Sequence, residues 1–376
     1  MNIIVLGAGL VGAPMAIDLA ADSRFTVSVA DRDQAALDRL SAKAPILPIQ
    51  MDLGDPSKVQ DLVADYDFVV DAVPGFMGFR TLEAILKAGR NVIDIAFFPE
   101  DPFLLDDLAK DMGVTAIMDC GVFPGMGSAL VGRAKRRLDK VTNVLTFVGG
   151  LPDKREQPWE YKAVFSPIDV IEEYVRPARY VENGELVVMP ALSAPELLDF
   201  PGVGTLEAFN TDGLRTLMQT IGAPNMKEKT LRYPGHIQKM AALRDSGFFS
   251  EEPVEVNGQM IKPLDLTAKL VFPMWHLAPG ESEFTVLQIN VDGEKDGRPV
   301  SYRYDMLDRY DAATDVTSMA RTTGYTATMA LRMVVDGLYD HKGISPPEYM
   351  GRVEGCVPYL LKGLAERGIT YTETLS

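Results

Sequence analysis

The sequence predicts an α/β fold: a doubly wound parallel sheet of the Rossmann type, followed by a second α+β domain built on a mixed or antiparallel sheet. Three observations predict this fold. β-branched runs alternate with helical stretches over the first 120 residues, as in doubly wound domains. A glycine-rich turn joins the first run to the first helical stretch,. Beyond residue 120 the predicted strands become short and are separated by Gly and Pro,.

Six apolar runs predict the strands of the first domain, which we place at residues 1–120. The runs are continuous rather than alternating, as in strands buried on both faces of a parallel sheet. The runs are Ile3–Leu6, Thr26–Ala30, Ile46–Gln50, Phe68–Ala72, Val92–Ile95 and Val114–Met118. Five stretches with helical spacing join them, at Leu10–Ala21, Gln34–Ala42, Pro56–Ala64, Phe76–Ala88 and Asp101–Lys110. This order predicts a dinucleotide-binding domain.

Residues 121–315 predict a second domain that would carry the substrate and catalytic groups. Alternation in Phe284–Val291 and Val300–Tyr304, with turn residues over Asp292–Gly297 between them, predicts a hairpin,. Further short strands are predicted at Val141–Val148, Leu186–Met189, Thr205–Ala208, Lys229–Tyr233 and Val254–Val256. Residues 316–376 predict two helices, one with an apolar face from Val316 to Leu338 and one at Val357–Arg367,. We expect these helices to pack back on the first domain.

The acidic excess limits the classes of partner. The chain has 53 acidic and 37 basic side chains and a formal net charge of −16, so its field should repel phosphate and we expect no nucleic-acid partner. The charge either serves solubility alone or favours a cationic substrate. No apolar run approaches the ~20 residues of a bilayer span. The first residues contain no basic stretch and no cleavage site, so we expect a soluble, cytoplasmic protein with no membrane partner.

Cysteine and histidine usage argues against a disulfide framework and against a metal site. The two cysteines, Cys120 and Cys356, are too few for a framework,. Together with three scattered histidines they provide no pair at ligand spacing,, so we expect no bound metal. Cys120 follows a predicted strand, and we interpret it as a packed thiol rather than a nucleophile.

The strongest motif is GAGLVG at residues 7–12, which follows the first strand and opens the first helix. In this context it predicts a dinucleotide site. Gly7 permits the tight turn, Gly9 lets the backbone approach a pyrophosphate, and Gly12 lets helix and strand pack closely. The pyrophosphate would lie at the helix N-terminus, where unpaired N–H groups and the helix dipole favour an anion.

Asp31 ends the second predicted strand, 31 − 12 = 19 residues after the last glycine of the motif. An acidic residue at about this spacing binds the ribose 2′-hydroxyl, so Asp31 favours NAD over NADP. Arg32 could accommodate a 2′-phosphate, which leaves NADP open. An alternative role for Asp31 is to cap the next helix. The remaining residues expected at the cofactor are Leu10, Val11, Arg32, Asp52, Leu53, Ala72, Val73, Pro74 and Ala96.

Other motifs resemble the saccharopine dehydrogenase-like family over nearly the whole chain. Those leaving the first domain are Asn91–Ile95 with Pro99–Pro102, and Asp119–Gly125. The motifs of the second domain are most similar to the lysine 6-dehydrogenases of this family. They are Val148–Pro152, Tyr161-Lys162, Ser166-Pro167, Glu172–Tyr174 with Arg176–Arg179, Thr211–Thr216 and Thr230–His236.

The resemblance implies the oxidation of an amine coupled to NAD. In a lysine 6-dehydrogenase, L-lysine gives a hydride from its ε-carbon, and hydrolysis of the imine yields ammonia and a semialdehyde that cyclises to piperideine-6-carboxylate. The family also contains saccharopine and carboxynorspermidine dehydrogenases, which form or cleave a secondary amine with NAD(P). A third interpretation is a non-catalytic NAD-binding sensor or assembly protein, because fold does not dictate function. By analogy with such enzymes we also expect a homo-oligomer, a dimer.

The implied reaction makes demands that name candidate residues. The α-carboxylate of an amino acid needs a bidentate cation, for which Arg232 and Arg215 are the candidates; Arg232 is favoured because it lies between a predicted strand and a Pro-Gly turn. A proton acceptor that works near neutral pH suggests His236. Tyr161 and Lys162 are the alternative acid/base pair, since burial can lower the pKa of a lysine. A substrate amine could bind Asp212, which is also a typical turn residue before glycine,.

Overall fold

Seven parallel strands form the sheet of unit 1, the first of two units into which the chain folds. The computed structural model describes every residue, 1–376. Unit 1 contains residues 1–139, 219–221 and 319–371. Its strands are β1 (Asn2–Leu6), β2 (Thr26–Asp31), β3 (Ile46–Gln50), β4 (Phe68–Asp71), β5 (Asn91–Asp94), β6 (Thr115–Ile117) and β17 (Gly343–Ser345). Their spatial order is β17-β6-β5-β4-β1-β2-β3, so the strand order reverses between β1 and β4.

This sheet confirms the six predicted strands and adds β17. A run of only three residues carries too little pattern to be recognised as a strand from the sequence. β17 pairs with β6 in parallel and places the chain after residue 342 at the edge of the sheet. Both faces of the central strands are buried, which explains why their apolar runs are continuous,.

Aspartate side chains cap the N-termini of several helices of unit 1 and so determine where these helices begin. Asp33 accepts a hydrogen bond from the amide of Ala35, and Asp55 accepts one from the amide of Ser57, so each caps a helix,. The predicted helix from residue 101 is divided, because Asp101 caps a single 3₁₀ turn before the α-helix begins. The helices are α1 (Gly12–Ala20), α2 (Gln34–Ser41), α3 (Pro56–Val63), α4 (Gly75–Lys87), α5 (Asp106–Asp111), α6 (Met126–Arg137), α11 (Ser318–Val335), α12 (Pro347–Arg352) and α13 (Cys356–Ala365).

Unit 2 contains residues 140–218, 222–318 and 372–376 and is built on a nine-stranded sheet. Its order is β10-β11-β12-β7-β15-β16-β18, with β8 pairing with both β12 and β9. Only β12 and β7 run parallel, so the sheet is mixed, which is one of the two forms that the sequence predicts. The strands are β7 (Lys140–Pro152), β8 (Ala178–Glu182), β9 (Glu185–Met189), β10 (Glu196–Phe200), β11 (Gly204–Asn210), β12 (Asn225–Arg232), β15 (Glu283–Lys295), β16 (Arg298–Arg309) and β18 (Thr372–Leu375).

The hairpin of β15 and β16 is longer than the sequence predicts. Both strands continue to a two-residue turn at Asp296 and Gly297, whose φ values of 51° and 71° are those of a tight hairpin turn,. The polar residues expected to form a wide turn instead extend the strands. The predicted strand Val254–Val256 is observed as β13 but lies outside the main sheet, because it pairs only with β14 (Gln259–Ile261).

Three helices enclose the aromatic core of unit 2: α7 (Pro167–Val175), α9 (His236–Asp245) and α10 (Pro263–Trp275), while a short α8 spans Leu217–Thr220. Tyr161, Tyr174 and Trp275 are fully or almost fully buried in one cluster with Phe209. The ring of Trp275 meets the ring of Tyr161 edge to face at 5.3 Å between centroids. This core surrounds the polar groups at the end of β12.

Candidate functional sites

The glycine motif forms the turn between β1 and α1. Gly7 has φ +108°, and a Cβ added there would lie 2.8 Å from the carbonyl oxygen of Ala72. A Cβ on Gly12 would lie 2.1 Å from the carbonyl oxygen of Gly7, so helix and turn are in direct contact. A Cβ on Gly9 would meet nothing within 4 Å. The three glycines thus have the distinct roles that a dinucleotide site requires, and the open space at Gly9 fits a pyrophosphate.

Asp31 holds the glycine motif in place at the end of β2. One carboxylate oxygen accepts the amide of Ala8 at 2.7 Å, and the other accepts the amide of Asp33 at 2.8 Å. The helix that follows is capped by Asp33 and not by Asp31. Arg32 is exposed beside it. A carboxylate in this position can bind a ribose hydroxyl and also orders the turn that would hold the pyrophosphate.

The other residues expected at the cofactor differ in exposure. Leu10, Arg32 and Asp52 are exposed, and Val11, Ala72 and Pro74 are partly buried. Leu53, Val73 and Ala96 are buried, with Ala96 only 2% exposed. All of them follow the carboxyl ends of strands or lie in the glycine motif, the edge at which open α/β sheets bind ligands,.

Two buried aspartates at this edge were not among the sequence candidates. Asp71 ends β4 and Asp94 ends β5, and both have no exposed surface. Each accepts the amide two residues further on, from Val73 at 3.2 Å and from Ala96 at 2.6 Å. A signal was present in the sequence, because an acidic residue after a wholly apolar run is unusual in a buried strand.

Cys120 follows β6 and is completely buried. Burial, with the nearby charges of Asp94 and Asp119, raises the pKa of its thiol far above the ordinary value. A nucleophilic cysteine needs a thiolate, so the environment of Cys120 is that of a packed thiol.

A directed chain of hydrogen bonds connects Arg232 to His236 in unit 2. Nε of Arg232 donates to the hydroxyl of Tyr174 at 3.2 Å, and this hydroxyl lies 3.0 Å from Nε2 of His236. Nδ1 of His236 lies 2.9 Å from the carbonyl oxygen of Trp159. A carbonyl can only accept, so Nδ1 carries the proton, Nε2 accepts, and Tyr174 donates to it.

Burial determines the charge states in this chain. It lowers the pKa of His236 to about 3, with the Arg232 guanidinium acting in the same direction. Burial also raises the pKa of Tyr174 to about 12 and that of Tyr161 well above 10. At neutral pH the imidazole is therefore neutral and both phenols keep their protons.

Arg232 is 2% exposed and makes its contacts within the unit. Besides Tyr174 it donates to the carbonyl oxygen of Leu231 at 2.9 Å and to the carboxylate of Glu173. Its guanidinium also lies 4.6 Å from the ring centroid of Tyr161. The hydroxyl of Tyr161 is buried with no hydrogen-bond partner, which makes it a donor available to a ligand in this cluster.

Arg215 and Asp212 lie in a second group of charges next to the first. Asp212 receives a bidentate pair from Arg179, at 2.8 and 2.7 Å. Arg215 is 6% exposed, and its backbone φ is +52°, a conformation that residues other than glycine rarely adopt,. Burial lowers the pKa of Arg176, and the charges of Arg215 and Asp212 both act on that guanidinium. The structure thus brings Arg176, Arg179 and Arg215 together.

Lys162 lies apart from the hydrogen-bond chain. Its Nζ atom is 3.3 Å from a carboxylate oxygen of Glu156, and 13% of its side chain is exposed. It also donates to the carbonyl oxygen of His276 at 3.4 Å.

The sequence reasoning missed the groups that bind the predicted ones, namely Tyr174, Glu173, Arg176, Arg179 and Glu228. The first four lie in motifs that carry the family resemblance, but nothing in their spacing shows which side chain each would meet. Glu228 accepts hydrogen bonds from the Thr211 hydroxyl and the Gly213 amide. Burial raises its pKa to about 8.

The described side chains show no group of three or more His, Cys, Asp or Glu residues that could hold a metal ion. None of the helices combines the length and the apolar composition needed to cross a membrane.

Comparison with known families identifies both parts of the chain. Residues 3–117 match the saccharopine dehydrogenase NADP binding domain, and residues 119–369 match the saccharopine dehydrogenase C-terminal domain. The chain is 26% identical over 402 residues to carboxyaminopropylagmatine dehydrogenase of Synechocystis sp., covering 100% of this chain and 98% of that protein.

The chain is also 22% identical over 445 residues to mitochondrial alpha-aminoadipic semialdehyde synthase of Bos taurus, covering 99% of this chain. It spans 47% of the length of that bovine protein. Among solved structures, apo saccharopine dehydrogenase (L-Glu forming) from Saccharomyces cerevisiae matches with a TM-score of 0.80 and 19% identity, over 100% of this chain and 99% of the other. The fold of the two chains is therefore the same.

Proposed function

We propose that this chain, which belongs to the saccharopine dehydrogenase family, is an NAD(P)-linked oxidoreductase whose substrate is a secondary amine that joins two carboxylate-bearing halves, as in saccharopine. The observation that carries this proposal is the group of Arg176, Arg179 and Arg215 beside Arg232 in unit 2. One arginine suffices for the α-carboxylate of an amino acid, whereas a substrate with two or three carboxylates needs several.

Arg215 is the best placed of these arginines for a substrate carboxylate. Its left-handed backbone conformation costs free energy, and such strain is concentrated at functional sites. Arg232 has a different role in this proposal: its bonds to Glu173 and Tyr174 make it a fixed positive charge in the wall of the site. Asp212 fixes Arg179 through the bidentate pair.

The bound nicotinamide would supply the hydride chemistry, accepting a hydride from the substrate carbon next to nitrogen. Water then adds to the imine, and the carbon–nitrogen bond breaks to give an aldehyde and a free amine. A protein group must accept the proton that the amine loses. We assign this to Lys162 as the neutral amine, because Nε2 of His236 is occupied by Tyr174 and Tyr161 retains its proton; the ion pair of Lys162 with Glu156 must open for this step. The unpartnered hydroxyl of Tyr161 would donate to the substrate.

NAD is the proposed cofactor form. Asp31 lies at the end of β2 with both carboxylate oxygens ordered by backbone amides. A carboxylate there disfavours a 2′-phosphate. Exposed Arg32, and the match to an NADP binding domain, favour NADP instead.

L-lysine is a second candidate substrate, and the acidic side chains around the arginines favour it. Glu172, Glu173 and Asp212 all lie in the two charge groups. They could stabilise the ammonium group of lysine, which would be oxidised at the ε-carbon to a semialdehyde with release of ammonia. The net charge of −16 would favour the approach of this cation,.

The deciding experiment is an amine panel. The protein is incubated with NAD⁺ or NADP⁺ and separately with saccharopine and L-lysine, and the reduced cofactor, ammonia and product masses are measured. We expect reduction of NAD⁺ with saccharopine and cleavage of its secondary amine, without ammonia. Ammonia release from L-lysine at a higher kcat/KM would establish the second candidate. An absence of turnover on every amine in a folded, NAD-saturated sample would favour a non-catalytic NAD-binding protein.

A further inference from the structure

Asp71 and Asp94 lie side by side at the carboxyl edge of the sheet of unit 1. They are register partners in the parallel pair of β4 and β5. Register partners in neighbouring strands project to the same face of a sheet. Neither residue has exposed surface. Two carboxyl groups are therefore held next to each other in a site without access to bulk water.

The hydrogen bonds of Asp71 satisfy only one of its two carboxyl oxygens. One oxygen of Asp71 accepts the Val73 amide, and one oxygen of Asp94 accepts the Ala96 amide. The second oxygen of Asp71 is buried and has no partner. Two neighbouring carboxyl groups in a desolvated site do not both ionise, because each charge disfavours the other. Burial raises the pKa of Asp71 to about 7, with the Val73 amide opposing the shift.

The surroundings supply further negative charge. Asp119 and Cys120 follow β6, and the charges of Asp94 and Asp119 both raise the pKa of the Cys120 thiol. On the other side, β1 contributes apolar Leu6 as the register partner of Asp71. The buried residues of α1 and α4 include no titratable side chain.

The pair lies on one side of the point where the strand order reverses. Asp71 is the last residue of β4, and Ala72, which follows it, contacts the turn at Gly7. A dinucleotide crosses such a sheet at the reversal, with one nucleotide on each half. Asp31 would bind the ribose of the adenine nucleotide on the β2 side of the reversal. The nicotinamide half would then lie on the other side, next to β4 and β5.

We propose that Asp71 and Asp94 together hold one proton near neutral pH, and that oxidised cofactor expels this proton on binding whereas reduced cofactor leaves it in place. The nicotinamide ring is positively charged when oxidised and neutral when reduced. A positive charge near the pair favours its fully ionised form. The phosphates and the adenine are the same in both cofactor forms, so any difference in proton release belongs to the nicotinamide side.

Proton release is measured by titration calorimetry of NAD⁺ and NADH in buffers of different ionisation enthalpy. At pH 7 we expect NAD⁺ to release between about half and one proton more than NADH. The Kd for NAD⁺ should fall by up to about tenfold per pH unit between pH 6 and 7 and become constant above pH 8. The Kd for NADH should follow no such slope.

Asp71→Asn keeps the shape of the side chain and should abolish the difference in proton release. Asp55→Asn is the matched control, because Asp55 makes the same contact to an amide two residues on but is exposed; this variant should keep the difference. Equal proton release for NAD⁺ and NADH in the unmodified protein would overturn the proposal, whatever the behaviour of the variants. Retention of the difference in Asp71→Asn would overturn it too.

Discussion

The carboxyl edge of unit 1 and the polar cluster of unit 2 are built in different ways. The cofactor turn consists of consecutive residues, 7–12, and works through backbone conformation and the absence of side chains. The polar cluster joins Tyr161, Tyr174 and Arg232, which are far apart in the sequence and meet only through the aromatic core. The first site is open where its ligand binds, and the second is densely bonded within itself. A local site can therefore be understood from its motif, whereas the bonds of a dispersed site depend on the whole domain.

The largest expected effect is on the stability of the dispersed site. Glu173→Gln leaves the Arg232 guanidinium, 2% exposed, without its carboxylate. Removing one partner of a buried ion pair costs about 3–5 kcal/mol of unfolding free energy, measurable by denaturant unfolding. Glu172→Gln is the matched control, because Glu172 is 40% exposed where it pairs with Arg176, and its loss should cost less than about 1 kcal/mol. Equal losses for the two variants would contradict the conclusion that Glu173 compensates a buried guanidinium charge on Arg232.

Two substitutions in the glycine turn at residues 7–12 should affect protein stability and NAD affinity to different degrees. Gly12→Ala places a Cβ against the Gly7 carbonyl oxygen and should cost about 1–3 kcal/mol of stability, as well as NAD affinity. Gly9→Ala meets no protein atom, so unfolding should be unchanged while NAD affinity falls because the pyrophosphate loses its close approach. Calorimetric unfolding and NAD titration of both variants test this. Normal NAD binding by Gly9→Ala would exclude this turn as the pyrophosphate site.

The pH dependence of stability should reveal the buried carboxyl of unit 2. The folded-state pKa of Glu228 is raised to about 8 from 4.5, so between these values the folded state binds more protons than the unfolded state. The free energy of unfolding should then fall as pH rises, by at most about 1.4 kcal/mol per pH unit. Glu228→Gln should remove the part of the fall that Glu228 contributes, which extends to about pH 8, whereas Asp71 contributes below about pH 7 and the exposed Glu294→Gln should change nothing. Identical profiles for Glu228→Gln and the unmodified protein would show that Glu228 ionises normally.

The smallest effect concerns cofactor choice. Asp31→Asn removes the charge opposite a 2′-phosphate but keeps an oxygen that can accept the Ala8 amide. The ratio of Kd values for NADP⁺ and NAD⁺ should shift toward NADP⁺ by about tenfold, which corresponds to about 1.4 kcal/mol. An unchanged ratio would transfer control of cofactor choice to another residue, with Arg32 the first to test.

Sequence reasoning succeeded where structure follows from local chemistry. Six of the seven strands of the first sheet, the glycine turn and a second sheet of mixed or antiparallel form were predicted from short patterns. It failed where tertiary pairing decides: β17 is too short to carry a pattern, and the polar residues around Asp292 extend a strand instead of turning it. His236 was chosen for its ordinary pKa, which burial lowers to about 3, and its catalytic role stays a prediction. Asp71 and Asp94 become a pair only when β4 and β5 are aligned.

The most direct test of the proposed substrate is the kinetics of Arg215→Met with saccharopine and NAD⁺. Loss of a charged hydrogen bond to a substrate carboxylate costs about 1.5–3 kcal/mol, so kcat/KM for saccharopine should fall by between about tenfold and a hundredfold. NAD⁺ affinity and the unfolding midpoint are measured on the same sample, and NAD⁺ affinity should be unchanged. A kcat/KM equal to that of the unmodified protein would contradict the claim that this group of arginines recognises a carboxylate-bearing secondary amine.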